Sequence, residues 1–135
     1  MGKERNQEQD TNNFIIHVVC WAGSDRSKYI ADELTKRGYI ASHGGVLIGH
    51  NYTTPEDLAY VNTVIFTDDT VRRVFKKDKG LTRQLRANNA RSIVFCLTEE
   101  EKDIAMQNAG KLEELKNIIS AKLDFFGFGY RKMKY

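Results

Sequence analysis

From Phe14 to Cys20 the chain reads Phe-Ile-Ile-His-Val-Val-Cys, a nearly continuous apolar and β-branched run that stops abruptly at Trp21-Ala-Gly-Ser-Asp25. A run without polar alternation is the signature of a strand buried on both faces of a parallel sheet. From Arg26 to Arg37 the period becomes helical: Ile30 and Leu34 are one turn apart, Ala31 lies beside them, and Gly38 stands where a helix would stop. Strand, short loop and helix make the first βα unit.

The same alternation continues. Tyr39 to His43 predicts a short second strand closed by Gly44-Gly45, and Thr54-Pro55-Glu56-Asp57 predicts the start of a short helix to about Tyr60. Thr63 to Thr67 reads as a third strand, with Asp68-Asp69-Thr70 capping a basic helix from Val71 to about Lys77. Ser92 to Leu97 reads as a fourth strand. An acidic segment from Glu99 to Asp103 then leads through Gly110 into a last helix, where Leu112, Leu115, Ile119 and Phe126, flanked by Ile118 and Leu123, form one apolar stripe. The fold expected is therefore α/β: a three-layer sandwich with a four-stranded parallel sheet and helices on both faces.

At 135 residues, 41% of them apolar, one domain with a real core is expected. Residues 1–13 read as a flexible polar N-terminus, 14–126 as the α/β domain, and 127–135 as a docked or mobile tail. One proline excludes proline-rich classes, and no apolar run approaches the ~20 residues of a membrane span. With no hydrophobic leader and two cysteines, Cys20 and Cys96, a reducing cytoplasm is the expected setting. The net charge of +3 is small, yet Arg72, Arg73, Lys76, Lys77, Lys79, Arg83, Arg86 and Arg91 face a single acid, Asp78, between Val71 and Arg91. That segment is either a solvated helix face or a patch for an acidic partner.

Ligands of doubly wound sheets sit beyond the carboxyl ends of the strands, so the loop after the first strand is where chemistry is expected. It reads Cys20-Trp21-Ala22-Gly23-Ser24-Asp25-Arg26-Ser27. Five residues between cysteine and arginine can curl so that backbone N–H groups converge on an oxyanion, with the helix N-terminus adding its positive end. The Arg26 guanidinium can grip two phosphate oxygens through its fork, which a lysine could not do. The same field favours a Cys20 thiolate, a nucleophile beneath a bound phosphate, and the Ser27 hydroxyl is placed to hydrogen-bond the sulfur.

Cys-x5-Arg-Ser between the first strand and first helix of a small α/β domain resembles the low-molecular-weight protein tyrosine phosphatases. The resemblance implies Cys20 as the nucleophile of a phosphocysteine, Arg26 as the transition-state clamp and Ser27 as the sulfur's partner. The cradle would be formed by amides from Trp21, Ala22, Gly23, Ser24, Asp25 and Arg26. It further implies a phosphorylated protein or small phosphoester as substrate, hydrolysed without cofactor or metal. Two departures stand out. Gly23 occupies the loop position where the family commonly has a bracing asparagine, and the chain lacks the Asp-Pro motif that carries the family's general acid. By position, Glu99, Glu100, Glu101 and Asp103 are the candidates, Asp103 first. The same run also reads as a solvated helix start.

Other readings remain beside this one. A cradle without its acid would be a non-catalytic phosphate-binding module. Cys96 within reach of Cys20 would suggest thiol redox chemistry like that of arsenate reductases. Trp21 and Tyr52 are candidate pocket walls, with the contact role favoured for Trp21. His17 reads as a core histidine, and His43 and His50 show no metal-like spacing.

Overall fold

The computed structural model describes residues 14–22, 26–95 and 112–131. The elements run β1 (Ile15–Cys20), α1 (Arg26–Lys36), β2 (Ile40–Gly45), a 3-10 turn (Glu56–Leu58), β3 (Thr63–Phe66), α2 (Asp69–Lys76), α3 (Lys79–Ala87), β4 (Arg91–Val94) and α4 (Leu112–Phe125). The four strands form one parallel sheet in the order β2-β1-β3-β4. This is the expected three-layer sandwich. Ile16 and Val18 of β1, with Ile65 and Phe95, pack against Ile30, Ala31 and Leu34 of α1 and Leu115, Ile119 and Leu123 of α4. On the other face Val19, Val64 and Phe66 meet Leu58, Val71, Phe75, Leu81 and Leu85. Alternate residues of the same strand feed opposite cores, which is why β1 needs apolar side chains at nearly every position.

The chain leaves β1 toward β2 and leaves β3 toward β4, so the connections after the two adjacent strands diverge to opposite faces. A crevice follows at their carboxyl ends.

Several local expectations shift. Gly44 and Gly45 do not close β2 but belong to it. A Cβ on Gly44 would overlap Thr53 Oγ1 and lie 3.0 Å from His17 Nε2, so only glycine lets β2 pass over these side chains. The basic helix expected from Val71 to about Lys77 is α2, and the rest of the basic segment forms a further helix, α3, capped by Asp78, which accepts from the Leu81 N–H at 3.1 Å. The α4 stripe is Leu115, Ile119 and Leu123, and Phe126 follows the helix, stacked on Phe95 with centroids 5.4 Å apart. Phe128 is buried against Phe14 and Tyr39, so this part of the C-terminal segment is docked.

Two buried polar centres hold the layers in place. His17 of β1 is fully buried, with Nδ1 2.7 Å from Ser42 Oγ and Nε2 3.0 Å from Thr53 Oγ1. A neutral imidazole donates from one nitrogen and accepts at the other, and a hydroxyl serves either role. Burial pushes His17 down to about 4, against the opposing pull of Asp57 and with a smaller contribution from His43. Arg37, just past α1 and only 2% exposed, donates to Glu33 Oε2 at 2.9 Å, Asp124 Oδ1 at 2.7 Å, Ser120 Oγ at 2.6 Å and the Phe128 carbonyl at 2.9 Å. It ties α1 to α4 and to the segment beyond it.

Two predictions follow from these centres. Arg37→Ala strands the buried Phe128 carbonyl and removes the tie between α1 and α4, while the exposed Asp124 returns to water, so it should cost about 1–3 kcal/mol in urea unfolding. The unfolded chain protonates His17 below its ordinary value of 6.5, while the folded chain resists until about 4. Stability should therefore fall as pH drops through that window, by up to about 3 kcal/mol, and His17→Gln should flatten that part of the urea-derived pH profile.

Candidate functional site

β1 is the central strand of its neighbourhood, paired with β2 on one side and β3 on the other, and Cys20 is its last residue. Its end is held from both flanks. The Trp21 carbonyl accepts from the N–H groups of Val46 and Leu47 at 3.0 and 3.1 Å, while the Thr67 N–H donates to the Val19 carbonyl at 3.0 Å. A nucleophile placed here sits on a rigid element at the mouth of the crevice.

Cys20 is 2% exposed, and its thiol donates to Ser27 Oγ at 3.1 Å. Ser27 is itself fully buried in the first turn of α1, and Arg26 is the first residue of that helix. The sulfur therefore lies against the helix N-terminus, whose unpaired N–H groups and aligned peptide dipoles favour negative charge. When the thiol loses its proton the hydrogen bond reverses, because the serine O–H can donate to the sulfur anion. Trp21 is 42% exposed at the mouth, and Ala22 is half-buried.

The structure thus brings Cys20, Trp21, Ala22, Arg26 and Ser27 to one strand-to-helix junction. Gly23, Ser24 and Asp25 lie outside the described residues, as do Cys96, Asp103 and the three glutamates Glu99, Glu100 and Glu101. Tyr52 is committed elsewhere: its hydroxyl donates to Asp78 Oδ2 at 2.7 Å, where Asp78 also caps α3. That bond holds the Asp78 carboxylate below its usual range and the Tyr52 phenol above its own. Beyond β3, Asp68 accepts from the Val71 N–H at 2.9 Å as the cap of α2, and Asp69 pairs with Arg72 and Arg73 at 2.7 and 3.2 Å. Thr67, between β3 and this cap, is a crevice residue that a reading of the strand pattern passes over as a strand end. The basic segment presents Lys79, Arg83 and Arg86 on one exposed face of α3, at positions i, i+4 and i+7.

No family model matches the chain, and no curated protein matches it. Among solved structures the chain is similar to the lactose-specific IIB component domain of the phosphoenolpyruvate:carbohydrate phosphotransferase system from Streptococcus pneumoniae. The identity is 14% and the TM-score 0.47, covering 87% of this chain and 99% of that one. At that level the likeness carries no argument about chemistry. Among the described residues no helix is long and apolar enough to cross a membrane.

The contact that defines the junction is testable on its own. Removing the hydroxyl bonded to the sulfur, by Ser27→Ala, should slow iodoacetamide labelling of Cys20 at neutral pH about tenfold or more, since a hydrogen bond to a charged group is lost. Peptide mass spectrometry would read the rate.

Proposed function

We propose that the chain is a cysteine-dependent phosphatase acting on phosphotyrosine or a similar phosphoester. The observation that carries this reading is the buried Cys20 thiol at the carboxyl end of β1, bonded to Ser27 at the N-terminus of α1. A sulfur, a hydroxyl and an arginine at one helix start form the chemical minimum for covalent phosphoryl transfer. The reading also rests on the resemblance of Cys-x5-Arg-Ser to the low-molecular-weight protein tyrosine phosphatases.

In this mechanism the Cys20 thiolate attacks phosphorus while the bond from phosphorus to the ester oxygen breaks. Arg26 grips the equatorial oxygens, whose charge is spread in the transition state, and the amides from Trp21 to Arg26 complete the cradle. An acid supplies the proton to the leaving oxygen, with Asp103 the first candidate and Glu99, Glu100 and Glu101 behind it. Water then attacks the phosphocysteine, expelling the thiolate, and Ser27 donates to that returning charge. No cofactor or metal enters the scheme.

Hydrolysis of an aryl phosphate, inhibited by vanadate, is the expected activity. Cys20→Ser should reduce turnover to background while leaving affinity for inorganic phosphate within a few fold, whereas Arg26→Ala should lose both. Vanadate binding to wild type without turnover would favour the phosphate-binding module, and a Cys20–Cys96 disulfide under mild oxidation would favour redox chemistry.

The partner is a phosphorylated protein with acidic residues near its phosphate, and the α3 stripe supports this part of the reading. Lys79, Arg83 and Arg86 are exposed and have no acidic partner among the described residues. Reversing two of these charges, Lys79→Glu with Arg83→Glu, should lower kcat/KM for an acidic phosphopeptide several-fold at low salt and leave a small aryl phosphate unaffected. Raising the salt should erase the difference.

A further inference from the structure

Thr67 follows β3 directly, and among the described residues its Oγ1 is buried and makes no hydrogen bond. The residue is fully buried. Such an orphan is uncommon, because a hydroxyl withdrawn from water without a partner forfeits its solvation. The location of this one gives it a use.

The register of β1 and β3 pairs Val19 with Phe66, and the ladder continues one step further through the Thr67 N–H on the Val19 carbonyl at 3.0 Å. Cys20 and Thr67 are therefore the next register pair. In-register residues of neighbouring parallel strands project to the same face, and adjacent strands lie about 4.8 Å apart. The Cys20 side chain is on the α1 face, where it reaches Ser27, so the Thr67 side chain projects to that same face from the next strand. From the other side β2 offers Gly45, which has no side chain to contribute.

In the neutral thiol state the Cys20 proton goes to Ser27 Oγ. We propose that Thr67 is a positioning residue for Cys20, its hydroxyl turning to donate to the sulfur once the thiol has given its proton to solvent. In that state the bond between sulfur and hydrogen is broken and the electron pair stays on sulfur. Ser27 reverses to donate, and Thr67 supplies a second O–H to the new charge. The hydroxyl without a partner in the thiol state is thus the one with a partner in the reactive state. Among the described residues, the charged groups nearest in sequence to this junction are Arg26, which opens α1, and Asp68, after Thr67, whose carboxylate is bound to the Val71 N–H. Both are unchanged by a substitution at Thr67, so they cancel in a comparison of variants.

This inference deepens the proposed function by naming a further residue of the same site, but its test does not need phosphatase turnover. The pH dependence of Cys20 alkylation by iodoacetamide is measured, with peptide mass spectrometry reading Cys20 and Cys96 separately. For Thr67→Val, which keeps the shape and removes the hydroxyl, the midpoint should move up by about one pH unit, a tenfold loss of thiolate at a fixed pH below it. Thr67→Ser should restore the wild-type profile. The thermal midpoint of Thr67→Val should stay level or rise, because an orphan hydroxyl has been removed. A Thr67→Val profile superimposable on wild type overturns the inference. So does a shift that Thr67→Ser fails to rescue, since the effect would then come from packing. An aryl phosphate assay on wild type judges the phosphatase reading separately: absent turnover with a shifted Thr67→Val profile would sink that reading and leave this one standing.

Discussion

The structure depends on the hydrogen-bonding of one strand. β1 is paired along both edges, to β2 and to β3, and its side chains feed cores on both faces. A strand so placed has neither a free edge nor a solvent face, and a slip by one residue would exchange the two cores. Its last residue is therefore positioned as firmly as any in the molecule. Cys20 takes its rigidity from this, and the junction with α1 takes its geometry from Cys20.

The polar centres on the two faces complement one another. On the side away from α1, His17 is buried among Ser42 and Thr53 under Gly44, a neutral group fully satisfied by hydroxyls. On the α1 side, Cys20 meets Ser27, and Thr67 stands by with an unmatched hydroxyl. The first arrangement suppresses charge, and the second is the one the proposal charges. Three residues apart on one strand and projecting to opposite faces, the two side chains meet different partners because of what the neighbouring strands and helices bring to each.

Much of this architecture was legible along the chain. The apolar run into Cys20, the helical period with Gly38 at its end, and the cap at Asp68 identify elements by local rules that the observed ones follow closely, whereas the helix expected from Thr54 to about Tyr60 is only a 3-10 turn, Glu56–Leu58. The misreadings share a cause. Gly44-Gly45 looks like a turn because glycine usually marks one, yet here it permits close passage over His17 and Thr53. Asp78 looks like a stray acid in a basic run, yet it caps α3 and accepts from Tyr52, 26 residues away in sequence. Arg37 marks only the end of the helical period in the sequence, while its burial depends on Asp124, Ser120 and Phe128 some 80 to 90 positions later. None of these contacts leaves a trace in local pattern.

By itself the sequence determined the class of the fold and singled out the candidate loop, because alternation of strand and helix periods and the Cys-x5-Arg-Ser spacing are properties of neighbours along the chain. Only the tertiary structure decided what surrounds the sulfur. The order β2-β1-β3-β4 sets Thr67 beside Cys20 and Gly45 on its other flank. Strand order is a matter of which hydrogen-bonding edges meet, and residues far apart in the chain become neighbours only when those edges pair.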